Sequence, residues 1–134
     1  DFAGIIFSRQ GKGQASKTMG INFYSNNNVG YSWDEFNWNS TLVVPKGSWS
    51  MIAITISSTQ AVAYLCNSNG ISSATNVASH AVVSGLNFFI ACDPSDRSTR
   101  AFTGKIATAM VYSSALTQTD ITNIFNAQKS TFGL

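Results

Sequence analysis

Leu42-Val43-Val44-Pro45-Lys46-Gly47-Ser48-Trp49-Ser50-Met51-Ile52-Ala53 is the stretch on which the fold turns. Pro45 presets the backbone angle for a turn over Pro45-Lys46-Gly47-Ser48. Residues 49–57 then carry Ile52, Ile54 and Ile56 on one face and Trp49, Met51 and Ala53 on the other, the period of a β-strand. Apolar side chains on both faces predict a central strand covered on both sides.

Working outward, residues 61–66 read as its hairpin partner, ended by Asn67-Ser68-Asn69-Gly70, where Asn-Gly is a tight-turn signal. Upstream, Met19, Ile21 and Phe23 alternate with polar or small neighbours. Ser25-Asn26-Asn27-Asn28 then turns the chain into residues 29–33, because Asn tolerates left-handed backbone. Residues 5–8 form an earlier strand, followed by a polar loop through Gly11, Gly13 and Ser16. Residues 86–92 and 105–112 read as the last two strands, separated by the polar loop Asp93-Pro94-Ser95-Asp96-Arg97-Ser98-Thr99-Arg100. Short β-rich stretches between Gly, Asn and Ser clusters are the pattern of an all-β sandwich. Beyond them the period changes. Leu116, Ile121, Ile124 and Phe125 fall at near-helical spacing, and Thr117 precedes Asp120 by three, a capping-box start. One helix over residues 117–128 is expected to pack its Ile124/Phe125 face on the sandwich.

The 134 residues suit a single domain, residues 1–134. Apolar residues make up 44%, yet no run approaches the roughly 20 needed to cross a bilayer, so no membrane insertion is expected. Only 10% of residues are charged, against about 25% in an average domain, so Ser, Thr, Asn and Gln supply the surface polarity. That composition suits an extracellular or virion or cell-surface setting. The formal charge of +2, with no basic cluster, leaves no electrostatic footprint for nucleic acid. Cys66 and Cys92 lie in expected strands, where a free Cys behaves as a small apolar residue. Two cysteines are too few to define a disulfide scaffold, and on opposite sheets their backbones would stand too far apart to bridge. The chain enters an apolar run within a few residues of Asp1 and reads as a piece of a longer precursor or assembly.

The order of these motifs resembles the laminin-G-like domain of the concanavalin A-like lectin/glucanase superfamily. Leu42 through Ala53 resembles its signature of Leu, Pro, Gly, any residue, Trp and an apolar strand. Ala61-Val62-Ala63-Tyr64-Leu65-Cys66-Asn67-Ser68-Asn69-Gly70 is similar to the strand and turn that follow. Phe89-Ile90-Ala91-Cys92-Asp93-Pro94, Phe102-Thr103-Gly104-Lys105-Ile106 and Val111-Tyr112-Ser113-Ser114-Ala115-Leu116-Thr117 fall in the same order. The resemblance implies an antiparallel jelly-roll β-sandwich, all-β apart from one short C-terminal α-helix. The strands that precede residues 5–8 in that family have no counterpart here. A neighbouring chain or an upstream segment is expected to fill that sheet position, or an edge is left open.

Glycosidases on this sandwich need two carboxylates about 5 to 5.5 Å apart for a retaining mechanism, alternating on one strand. Asp34 and Glu35 are the only adjacent acids and would point to opposite faces of a strand, so catalysis is not expected. His80 is the only histidine and sits in Ser79-His80-Ala81, read as a solvated loop. Gly11-Lys12-Gly13-Gln14-Ala15-Ser16-Lys17-Thr18 nearly matches a phosphate-binding loop, but Ser16 replaces the second Gly and a strand follows instead of a helix.

Tyr31-Ser32-Trp33-Asp34-Glu35-Phe36-Asn37-Trp38-Asn39 is the candidate binding segment. Aromatic faces stack on sugar C–H surfaces while Asn and Asp bond hydroxyls, so Tyr31, Trp33, Asp34, Asn37, Trp38 and Asn39 form a candidate carbohydrate site. The competing reading makes Trp33 and Trp38 core or edge residues. Asp93 and Asp96, with Asn76 or Asn28 near them, are candidate calcium ligands; the competing reading is a turn with an ion pair to Arg97 or Arg100. Two functions are carried forward. One is a non-catalytic, lectin-like carbohydrate-binding module. The other is a structural or adhesive display domain of a virion, fibre or surface assembly that contacts a neighbouring protein chain, as a homo- or hetero-oligomer.

Overall fold

The computed structural model describes residues 2–9, 17–84 and 87–134. The polar loop through Gly11, Gly13 and Ser16, most of the phosphate-loop-like stretch, and Leu86 lie outside the described residues. Eight strands follow in order: β1 (Ala3–Ser8), β2 (Met19–Phe23), β3 (Asn28–Trp33), β4 (Phe36–Val43), β5 (Met51–Ile56), β6 (Ala61–Asn67), β7 (Gly70–Asn76) and β8 (Phe89–Ile90). They form a five-stranded sheet, β4-β3-β2-β1-β8, and a three-stranded sheet, β5-β6-β7. Every pairing is antiparallel. With the helix α1 (Gln118–Gln128), this is the β-sandwich expected from the sequence.

The three-stranded sheet is the middle layer. Residues directly opposed in an antiparallel pair project to the same side. Met51 opposes Cys66 and Ala53 opposes Tyr64, and that face meets Ile121 and Phe125 of α1. Ala61, Ala63 and Leu65 are buried on the opposite face, where β4 packs on β6 and β7. Burial of Ile121 and Phe125 contributes about 1.5–3 kcal/mol each. The helix starts as the sequence predicts: Thr117 Oγ1 accepts from the Asp120 N–H at 3.2 Å, and Asp120 Oδ2 accepts from the Thr117 N–H at 2.8 Å. The buried stripe is Ile121/Phe125, with Ile124 only half-buried.

Four sequence expectations need correction. The β5 strand is an edge of its sheet among the described residues; its two apolar faces reflect its place in a middle layer. Residues 36–43, to which the sequence reading gave no strand, form the longest strand, β4, and residues 70–76 add β7 after the Asn69-Gly70 turn. The expected strand at 86–92 shrinks to Phe89–Ile90, because Ala91 takes a left-handed backbone (φ 65°) and only the Cys92–Ala101 bridge follows. Residues 105–112 form no ladder among the described residues. Met110, Val111 and Tyr112 stay 43–56% exposed, since β-forming composition needs a neighbouring strand to become a sheet.

The described first strand is no edge: β1 pairs with β2 on one side and β8 on the other. The loop after β8 lies against β1, and a Cβ at Gly4 would clash with the backbone of Cys92 and Asp93. Cys66 and Cys92 are free, one in β6 of the three-stranded sheet and the other beside the five-stranded one. Burial pushes the Cys66 thiol up to about 11, so it is inert at neutral pH.

Candidate functional site

The β3–β4 hairpin turns in two residues. Trp33 opposes Phe36, and Asp34 takes a left-handed backbone (φ 52°), a conformation that two-residue hairpin loops demand and Asp tolerates. The turn is fixed to β2's approach by the Asp34 N–H, which donates to the Thr18 carbonyl at 2.6 Å. Trp33 Nε1–H donates to the Ala81 carbonyl at 2.7 Å and so ties the segment after β7 to the hairpin. Between them lies a shallow cavity of about 310 Å³ lined by residues 33–36 and 79–81. Trp33 and Phe36 supply its apolar wall. Asp34 and Glu35 supply two carboxylates that meet no cation among the described residues.

Strand alternation divides the residues that the sequence offered as one sugar site. Trp33 opposes Phe36 and Tyr31 opposes Trp38 on one face of the sheet; Asn37 opposes Ser32 and Asn39 opposes Gly30 on the other. Tyr31 is 1% exposed, packed against Trp38 at 5.5 Å between ring centres, and offers no face to a ligand. Asn37 Oδ1 accepts from Ser32 Oγ at 2.5 Å, and Asn39 Oδ1 from the Thr41 N–H at 2.9 Å. Only Trp33 and Asp34 of the six reach the cavity. Glu35, Phe36, Ser79, His80 and Ala81 join them there.

His80, expected in a solvated loop, is 8% exposed. Its Nε2 meets the Tyr31 hydroxyl, which also accepts from Asn76 Nδ2 at 2.9 Å. Asn76 Oδ1 accepts from the Ala78 N–H at 3.1 Å, which fixes the amide's orientation. Burial lowers the His80 pKa from its ordinary value and keeps the ring neutral at pH 7. Nothing local in the sequence marks His80; its partner is 49 residues upstream. The face that Tyr31, Trp33, Phe36 and Trp38 share was legible, by running the period of two through the Asp34-Glu35 turn.

The candidate calcium ligands are engaged otherwise. Asp93 is 1% exposed and its Oδ2 lies 2.9 Å from Arg100 and 3.5 Å from Arg9, while Oδ1 accepts from the Ser95 N–H at 2.9 Å. Asp96 accepts from Ser98 Oγ at 2.6 Å and Thr99 Oγ1 at 2.7 Å, besides two N–H groups, and these donors hold its carboxyl well below the usual range. A calcium ion there would have to displace two guanidinium groups and four Asp96 donors. Arg97 takes no part and lies over Phe89.

Comparison with known families matches residues 3–122 to the laminin-G-like description of the concanavalin A-like lectin/glucanases superfamily. The chain belongs to that superfamily. The match runs from β1 into the first turn of α1, so it includes both sheets and the whole hairpin site. No curated protein and no solved structure matches the chain. A laminin-G-like, concanavalin A-like sandwich fits a lectin-like or adhesive module, and such domains are typically non-catalytic.

Proposed function

We propose that this chain is a non-catalytic recognition module that binds carbohydrate at the β3–β4 end of the sandwich, on the outside of a cell or particle. The observation that carries the reading is the cavity itself. Trp33 and Phe36 line it together with Asp34 and Glu35, which have no ion pair among the described residues, the mixture of aromatic rings and acceptors that sugar rings take. The low charged fraction agrees with a surface setting. Against catalysis, the acids among the described residues are spread over a hairpin turn, an ion-paired loop and a helix cap, and do not alternate on one strand.

A glycan-array screen of the chain and of Trp33→Ala tests this. Binding that is lost in Trp33→Ala supports the site; silence from a folded sample across all glycans removes the carbohydrate reading.

A second reading is favoured by residues 105–112, unpaired among the described residues and exposing Met110, Val111 and Tyr112. A neighbouring protein chain that adds a strand there would make this a display or assembly domain. Sedimentation would then report an oligomer at micromolar concentration, and Val111→Lys would return it to a monomer.

A further inference from the structure

We infer that Asn39 is an acceptor for N-linked glycosylation and that the glycan it carries covers the free edge of β4. The inference rests on the outer-surface setting proposed above and is independent of the cavity.

Asn39-Ser40-Thr41 is the one Asn-x-Ser/Thr triplet in the sequence, the tripeptide that an oligosaccharyltransferase reads through the amide of the first residue and the hydroxyl of the third. Such triplets arise by chance in a chain rich in Asn, Ser and Thr, so the weight falls on how this one is placed. β4 is an edge strand: β3 pairs with it on one side and no described strand pairs on the other. Its ladder with β3 breaks at the triplet. Gly30 opposes Asn39 and Asn28 opposes Val43, so Ser40, Thr41 and Leu42 stand against the single residue Val29 and form a bulge. Within it Ser40 is buried, its Oγ donating to the Val29 carbonyl at 2.6 Å, while Thr41 is exposed. Asn39 is half-buried and its Oδ1 accepts from the Thr41 N–H, so a hydrogen bond joins the two residues that the transferase must read. Asn39 Nδ2 and Thr41 Oγ1 have no hydrogen-bond partner among the described residues.

Thr41 supplies a second observation. Its φ of 64° is left-handed, where a β-branched residue is an outlier. Asn or Gly would hold the same bend with less strain. Thr is therefore a poor choice for the bend, and its hydroxyl makes no hydrogen bond among the described residues that would offset the strain. A strained residue kept on an exposed edge points to a role outside the fold, and the third position of an acceptor triplet is such a role.

In the transfer, Asn39 Nδ2 attacks the anomeric carbon of a polyprenyl-diphosphate-linked oligosaccharide held by the transferase. The C–N bond forms, the anomeric C–O bond breaks, the lipid diphosphate leaves with the bonding pair, and the amide proton passes to a base of the enzyme. The product answers a hazard of the fold. Residues 36–43 form the longest strand yet contain no charged residue and no Pro, the devices that usually keep an edge from pairing with another chain. A hydrated oligosaccharide at the middle of β4 supplies that protection.

Secretion of the full chain from cultured animal cells behind a cleavable leader decides it, with the glycan read in both medium and lysate. The wild type is expected to carry a single N-glycan, which peptide N-glycosidase removes with conversion of Asn39 to Asp, located by peptide mass spectrometry. Asn39→Gln and Thr41→Ala should lose it, and Thr41→Ser should keep it. Thr41→Asn should also lose the glycan while shifting the denaturant midpoint of the unglycosylated chain upward, which separates the role of the hydroxyl from that of the bend. An unmodified chain in the medium, or a glycan confined to chain retained in the cells, overturns the acceptor assignment and leaves the carbohydrate-binding reading standing. A lower midpoint in Thr41→Asn assigns Thr41 to the fold and overturns the reading of its strain. Enzymatic removal of the glycan should raise self-association in sedimentation several-fold; unchanged association overturns the edge role.

Discussion

Two acidic pairs sit in turns of this small sandwich and have opposite fates. Asp93 and Asp96, after β8, have their carboxylate oxygens taken by Arg100, Arg9, Ser95, Ser98 and Thr99. Asp34 and Glu35, at the tip of the β3–β4 hairpin, have no side-chain partner among the described residues and border a cavity. Sequence alone ranks the pairs alike. The difference teaches that an acid already neutralised by its own chain serves structure, whereas an acid left unpaired at a concave, aromatic surface is free to serve a ligand.

Stability measurements should separate the pairs most sharply. Asp93→Asn removes the charge that two guanidinium groups surround; Arg100 is a third exposed and keeps some solvation, so a loss of about 2–4 kcal/mol is expected from the denaturant midpoint. Asp34→Asn and Glu35→Gln should each stay within about 0.5 kcal/mol of wild type. Equal losses in both pairs would erase the contrast.

Next in size is the polar pair beneath the cavity. Tyr31→Phe leaves Asn76 and His80 without their shared partner and should cost about 1–3 kcal/mol, read by chemical denaturation. His80 extends the same test to pH. Burial lowers its folded-state pKa, so the unfolded chain takes the proton first on acidification. The stability it contributes is full above its ordinary value of 6.5 and is lost as pH falls from there through the lower folded value. His80→Gln should flatten that part of the stability curve.

The smallest effect concerns calcium. Because the Asp93 and Asp96 oxygens are occupied, millimolar calcium or a chelator should leave the melting temperature unchanged within about 1 °C. A calcium-dependent rise of several degrees would mean that the loop rearranges around the ion.

Much of the architecture was legible because it rests on local chemistry. The Asn-rich turn appears with Asn26 and Asn27 left-handed (φ 61° and 60°), and the Thr117/Asp120 capping box closes as read. The motif order from Leu42 onward identified the superfamily. What failed depends on distant neighbours. Residues 105–112 have the composition of a strand but no ladder among the described residues. Residues 49–57 have two apolar faces because α1 and β4 lie on either side of their sheet, a fact no window of the chain contains. The candidate cavity was only partly legible: Trp33 and Asp34 line it, whereas Tyr31 is buried and packs against Trp38. His80 and Ala81 arrive from nearly fifty residues away.

The central claim is that the cavity at the hairpin tip is where a ligand sits, and the three tryptophan indole N–H signals report on it directly. Trp33 lines the cavity, Trp38 packs on Tyr31 and Trp49 on Phe132 at 5.3 Å between ring centres. Titrating an isotope-labelled sample with a glycan bound in the array screen should move the Trp33 signal and leave Trp49 in place. A saturable shift of Trp49 with Trp33 unmoved, or no shift at millimolar sugar, would contradict the account.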